Sequence, residues 1–181
     1  NGIKVSAPNI VNYIDKKTIL KDIHSAQAVR PDAIITCIHW GEEYQSLPNR
    51  EQCELADWLL KQGVTHIIGS HPHVIQPMEL RTHGNQQHAI VYSLGNFISN
   101  MSAANTDGGL IFTLQLEKYP LPKPIRPLPN HSSHSPSPES FAYSFPFARV
   151  VRCGYTLVWT GRPTLTGEKN YILYPSYSPH S

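Results

Sequence analysis

Residues 33–73 read AIITCIHWGEEYQSLPNREQCELADWLLKQGVTHIIGSHPH, and the reading of this stretch decides the fold. Ala33–Ile38 is apolar almost throughout rather than alternating, the pattern of a strand buried on both faces. From about Pro48 to Gln62 the chain predicts a helix. Proline suits its first turn, Gly63 suits the position after its end, and Cys53, Ala56, Leu59 and Leu60 give it an apolar side. His66-Ile67-Ile68-Gly69 is the next strand. Strand, helix and strand within about forty residues make a βαβ unit, with parallel strands and a right-handed crossover. Adjacent strands would end roughly 5 Å apart. His39 follows the first strand and His71-Pro72-His73 follows the second. Imidazoles so placed can converge on one cation, about 2 Å from each nitrogen.

Working outward, Asp15 is an N-cap for a helix over Lys16–Ala28, whose Ile19, Ile23 and Ala26 share a face. Ala89–Ser93 reads as a third strand, closing in Leu94-Gly95-Asn96-Phe97. Gly108–Glu117 alternates, with Leu110, Phe112, Leu114 and Leu116 on one side, and Tyr155, Leu157 and Trp159 repeat the pattern. Between them, 119–148 holds eight of the sixteen prolines and many serines. Such a segment buries too little apolar surface to order itself and is expected to be a disordered loop or linker. The expected organisation is therefore a main unit over 1–118, that linker, and terminal strands over 149–181 that complete the domain.

The composition narrows the function. At 181 residues there is room for one domain with a real core. A net charge of +2 without a Lys/Arg cluster speaks against nucleic acid. Cys37, Cys53 and Cys153 are odd in number and lack a CxxC pair, so they read as small core residues rather than a zinc or disulfide frame. No run of about 18 apolar residues exists to span a membrane. Asn1-Gly2-Ile3-Lys4 carries no targeting signal, as though cut from a longer chain.

The metal candidates are His39, His71 and His73. For His71 and His73 the alternative is an exposed turn without a ligand, and for His39 a core histidine hydrogen-bonded to a carbonyl. Glu42 and Glu43 follow at once, as partners orienting an imidazole or as a solvated loop pair. Asn96 lies beyond the third strand, where its amide could touch a substrate or ligand or simply make a turn. His24, His66, His83, His88, His131, His134 and His180 form no constellation and read as surface or packing residues.

Three ordered motifs, His39-Trp40-Gly41-Glu42-Glu43-Tyr44, Gly69-Ser70-His71-Pro72-His73-Val74-Ile75-Gln76 and Tyr92-Ser93-Leu94-Gly95-Asn96-Phe97-Ile98, resemble those of the CapA family. These are capsule and poly-γ-glutamate synthesis proteins with the calcineurin-like metallophosphoesterase fold. The likeness covers roughly Lys16–Glu117, and Cys153–Trp159 resembles the end of bacterial members. It implies an α/β chain forming part of a four-layer αββα sandwich with mixed sheets. It also implies a divalent metal (Mn, Zn or Fe), with two sites in the full-length protein. His39 and His71 would bind one ion and His73 the other, the cations offsetting charge on a transition state.

The family's earlier Asp-bearing strand end and Asn-Asn-His segment have no counterpart here, and Asp15, Asp22 and Asp32 sit in the wrong contexts to replace them. The expectation is a C-terminal half, without a complete active site by itself. Hydrolase or transfer chemistry on an anionic surface polymer or phosphate ester is the first functional expectation, at the cell envelope or outside the cell, alongside other capsule-synthesis proteins. The alternatives are a non-catalytic envelope module that binds or anchors an anionic polymer, and an inactive truncated fragment, which would expose a large apolar face.

Overall fold

The computed structural model describes residues 12–83, 86–118 and 148–176. Helix α1 (Lys16–Ala28) leads into strand β1 (Ile35–His39), helix α2 (Arg50–Lys61) and strand β2 (His66–Ser70). A hairpin follows, β3 (Met78–His83) and β4 (Gln86–Val91), and then β5 (Gly108–Lys118), β6 (Ala148–Gly161), the single turn α3 (Pro163–Thr166) and β7 (Ile172–Ser176). The first sheet has the order β1-β2-β4-β3, with β1, β2 and β4 parallel and β3 antiparallel. The second is antiparallel, in the order β5-β6-β7. This is an α/β sandwich fragment: a helix layer, a mixed sheet and a second sheet.

Both long helices pack on one face of the mixed sheet. Ile23 of α1, Leu55, Ala56 and Leu59 of α2, and Ile38, Trp40, Ile67, Ile90 and Tyr92 from the strands and their ends make one buried cluster. Complete burial of a side chain such as Leu59 stabilises the fold by about 1.5–3 kcal/mol. Helix α1 begins where its cap requires, with the Asp15 carboxylate accepting from the Thr18 N–H at 2.8 Å. Helix α2 begins at Arg50, two residues inside the sequence-based expectation, with Asn49 as its cap. Asn49 forms a reciprocal capping box with Gln52, so Pro48 precedes the cap instead of occupying the first turn.

The expectations for β1 and for the second sheet need correction. Among the described residues strand β1 stands at the edge of the sheet and is covered on one face only, the face that packs on the helices. Ile35 is 49% exposed and Cys37 is exposed too, so Cys37 is no core residue. In the second sheet Leu110 is buried, but Tyr155 and Leu157, its neighbours on the same face across the ladder, remain exposed at 59% and 39%. Their period-2 pattern is real; what would cover that face is not among the described residues. Strand β3 was not expected at all. The Pro/Ser-rich stretch 119–148 lies outside the described residues except for Ala148, which opens β6.

One close approach spans three strands of the mixed sheet. The Trp40 indole N–H donates to the Tyr92 carbonyl at 2.8 Å, passing over Gly69 in the strand between them. A Cβ at Gly69 would lie 2.1 Å from that carbonyl oxygen and 2.5 Å from the indole nitrogen. Only glycine fits there.

Candidate functional site

The parallel register sets the C-terminal rim of the mixed sheet. His39 pairs with Ser70, and the Trp40 N–H continues the ladder to the Ser70 carbonyl at 3.1 Å. His71 therefore starts the turn beside the end of β1, with its ring centroid 4.4 Å from that of His39 and the rings tilted by 45°. The rings of His71 and His73 lie 6.1 Å apart. All three sequence candidates thus gather at one rim, as the βαβ reading requires. Ser70 Oγ stands 3.5 Å from His39 Nδ1.

Asn96 arrives from the segment after β4. Gly95, at φ +69°, turns the chain, and the Asn96 N–H donates to the Gly108 carbonyl at 3.0 Å, fastening this segment to β5. The Asn96 Nδ2 donates to the Thr106 carbonyl at 2.9 Å, so its Oδ1 is turned toward His73 Nδ1, also at 2.9 Å. An amide oxygen only accepts; His73 therefore carries its proton on Nδ1 and presents the Nε2 lone pair. This geometry places Asn96 behind an imidazole.

The loop over the rim is held at several points. Gly41, at φ +84°, bends it against Gln52, whose Oε1 would lie 2.5 Å from any Cβ there. The buried Gln52 amide accepts from the Asn49 N–H at 3.0 Å and donates to Gln76 Oε1 at 2.9 Å. Gln76 in turn donates to the carbonyls of Gln45 and Leu47 at 2.9 and 3.1 Å. Finally the Tyr44 N–H donates to the Pro72 carbonyl at 2.8 Å, clamping the loop to the turn between the two histidines.

This clamp separates the two glutamates. Glu42 Oε1 accepts from Asn49 Nδ2 at 3.3 Å, on the side of the helix cap. Glu43 faces the histidines, and among the described residues Glu43, His71 and His73 are the three side chains whose ligand atoms all lie within 4.8 Å of one another. The sequence offers Glu43, like Glu42, as a partner orienting an imidazole or as one of a solvated loop pair. The one available signal was Gly41, whose turn decides which of two adjacent carboxylates points inward. Tyr44, His71 and His73 all have positive φ (66°, 107° and 60°), a concentration of backbone strain typical of binding sites.

Electrostatics favour neutral rings at His39 and His71. Burial holds His39 below the ordinary histidine range, and the nearby His73 adds to the effect. Burial likewise lowers His71, and His39 lowers it further, while Glu43 acts in the opposite sense. A neutral ring is the form that ligates a metal. Ligand atoms about 2 Å from a shared ion stand about 3.3 Å apart in a tetrahedron. A contraction of the observed spacing by side-chain rotation would bring them there, so nitrogen and oxygen donors present at this rim fit a divalent cation.

Comparison with known proteins places these residues in context. The family model described as bacterial capsule synthesis protein PGA_cap matches residues 1–101, a span that holds every rim residue described above. The chain is similar to the PGA biosynthesis protein CapA of Bacillus subtilis (strain 168), 36% identical over 87 residues, covering 48% of this chain and 22% of that protein. It is also similar to the capsule biosynthesis protein CapA of Bacillus anthracis, 35% identical over 97 residues, covering 51% of this chain and 23% of that protein. The matches thus span less than a quarter of either relative's length.

Proposed function

Since the chain belongs to the bacterial capsule synthesis protein family PGA_cap, we propose that it serves the making of a capsule polymer at the cell envelope through a divalent cation held at its histidine rim. The observation that carries this reading is the convergence of His39, His71 and His73 at the ends of two parallel strands. His71 and His73 are the holding residues. Asn96 fixes the tautomer of His73 from behind, the usual role of an outer partner to a ligating imidazole.

A bound ion would supply Lewis-acid polarisation of a phosphoryl or acyl oxygen. Around it, the Trp40–Tyr92 contact and the anchored 41–48 loop keep the rim in shape, so that binding an anionic polymer or phosphate ester requires little rearrangement. Among the described residues no helix is long and apolar enough to cross a membrane.

Calorimetric titration of Mn²⁺ or Zn²⁺ into the wild type and into the double variant His71→Ala, His73→Ala tests the reading. Binding by the wild type and its loss in the variant is the expected result. Equal binding by both overturns it.

A further inference from the structure

We propose that Tyr44 positions the substrate at the rim: its hydroxyl donates a hydrogen bond to an oxygen of the anionic group, phosphoryl or carboxylate, that the cation holds. This rests on the metal reading above and gives a task to the residue that closes the first motif, His39–Tyr44.

Geometry carries it. Tyr44 sits at φ +66°, a conformation that a bulky residue keeps only where its surroundings impose it. Two contacts impose it. The Tyr44 N–H donates to the carbonyl of Pro72, the residue between the two histidines, at 2.8 Å. The Tyr44 ring stacks on His73, with centroids 6.3 Å apart and planes within 28°. Yet the residue stays 45% exposed, so core packing does not repay the strain. What the anchoring secures is a place. The hydroxyl lies beside the Glu43 carboxylate, and Glu43 shares one 4.8 Å neighbourhood of ligand atoms with His71 and His73.

The chemistry follows from the supply of donors. An oxyanion on a cation keeps oxygens that the ion does not bind, and these need hydrogen-bond donors. The other donors around the rim are engaged. The Asn96 amide nitrogen is turned to Thr106, the Trp40 indole to Tyr92, and the Ser70 hydroxyl faces His39. Carboxylates offer none. The Tyr44 hydroxyl is the one that can turn toward a bound anion, and a bond from it to a charged oxygen belongs to the stronger class.

Inorganic phosphate and, separately, acetate titrated into the Mn²⁺-loaded full chain, wild type and Tyr44→Phe, test the proposal. Phenylalanine keeps the stack on His73 and the main-chain clamp and removes only the hydroxyl. Tyr44→Phe should weaken anion binding by roughly tenfold or more while Mn²⁺ binding, titrated separately, is retained. A loss confined to phosphate assigns a phosphoryl substrate, and one confined to acetate a carboxylate. Anion binding equal to wild type overturns the proposal, as does a wild type that takes up neither anion. A Tyr44→Phe variant that loses Mn²⁺ also overturns it, because the hydroxyl would then act on the ion's own site. A wild type that binds no Mn²⁺ is a separate outcome, which defeats the metal reading and this inference with it.

Discussion

The two ends of the mixed sheet hold the same residue type in opposite settings. At the N-terminal end of the strands, His66 and His88 are buried, and each has a ring nitrogen engaged by main chain. His66 Nδ1 accepts from the Ala89 N–H at 3.1 Å, and His88 Nδ1 donates to the Thr65 carbonyl at 3.0 Å. At the C-terminal end, His39 is exposed, His71 and His73 are partly covered and sit on strained backbone, and neighbouring rings crowd one another. A histidine satisfied by neighbouring strands is structure; a histidine placed where strands stop is available for chemistry. The difference lies in backbone partners, and the residue type alone does not reveal it.

The contrast can be broken most severely at the strand that connects the two ends. Gly69→Ala would drive a methyl into the Tyr92 carbonyl and displace the Trp40 indole, leaving both groups unpaired in the core. A loss of about 3 kcal/mol or more is expected from overpacking plus a severed buried hydrogen bond. Thermal denaturation followed by circular dichroism measures it, and a melting point unchanged from wild type would contradict the packing described here.

At the structural end, acid should reveal His66. Burial pushes its pKa down to about 4, with His88 adding to the effect. Between the unfolded value near 6.5 and the folded value, the unfolded chain takes up a proton that the folded chain refuses. Stability is therefore full above pH 6.5, falls as the pH drops, and levels off below about 4, with a total loss of at most about 3 kcal/mol. Urea unfolding across that window, compared with His66→Asn, which keeps an acceptor toward the Ala89 N–H, should show a shallower slope in the variant. Identical slopes would assign the acid sensitivity elsewhere.

At the chemical end, Asn96→Ala removes the partner of His73 Nδ1 without touching a proposed ligand. Zn²⁺ affinity should fall by roughly 10- to 100-fold while the melting point moves little. An affinity equal to wild type would mean that the tautomer of His73 is set by something other than Asn96.

Much of this arrangement was legible in the chain. The Asp15 cap, the end of α1 at Ala28 and the gathering of His39, His71 and His73 follow from local rules of capping and from the βαβ crossover, which need only short-range pattern. What escaped depended on position in the sheet. Ile35 and Cys37 look like core because their sequence is apolar, yet they lie on the face of β1 that no described element covers. Tyr155 and Leu157 alternate as an inward face does, though periodicity identifies a face and not what lies against it. The short alternation of Met78–His83 was too polar to stand out until β4 paired with it. Glu43 was indistinguishable from Glu42 because one peptide unit, turned by Gly41, separates a carboxylate at a helix cap from one beside two imidazoles.

The buried glutamines make a directional wire. Each amide in the run from Gln52 through Gln76 to the carbonyls of Gln45 and Leu47 donates the same way, and neither can reverse without setting oxygen against oxygen. An ionised carboxylate at either position would have the same outline and no donor to pass on. The pose of the segment above the rim is thus encoded in which of two isosteric atoms is nitrogen, a distinction that no measure of shape or volume would register.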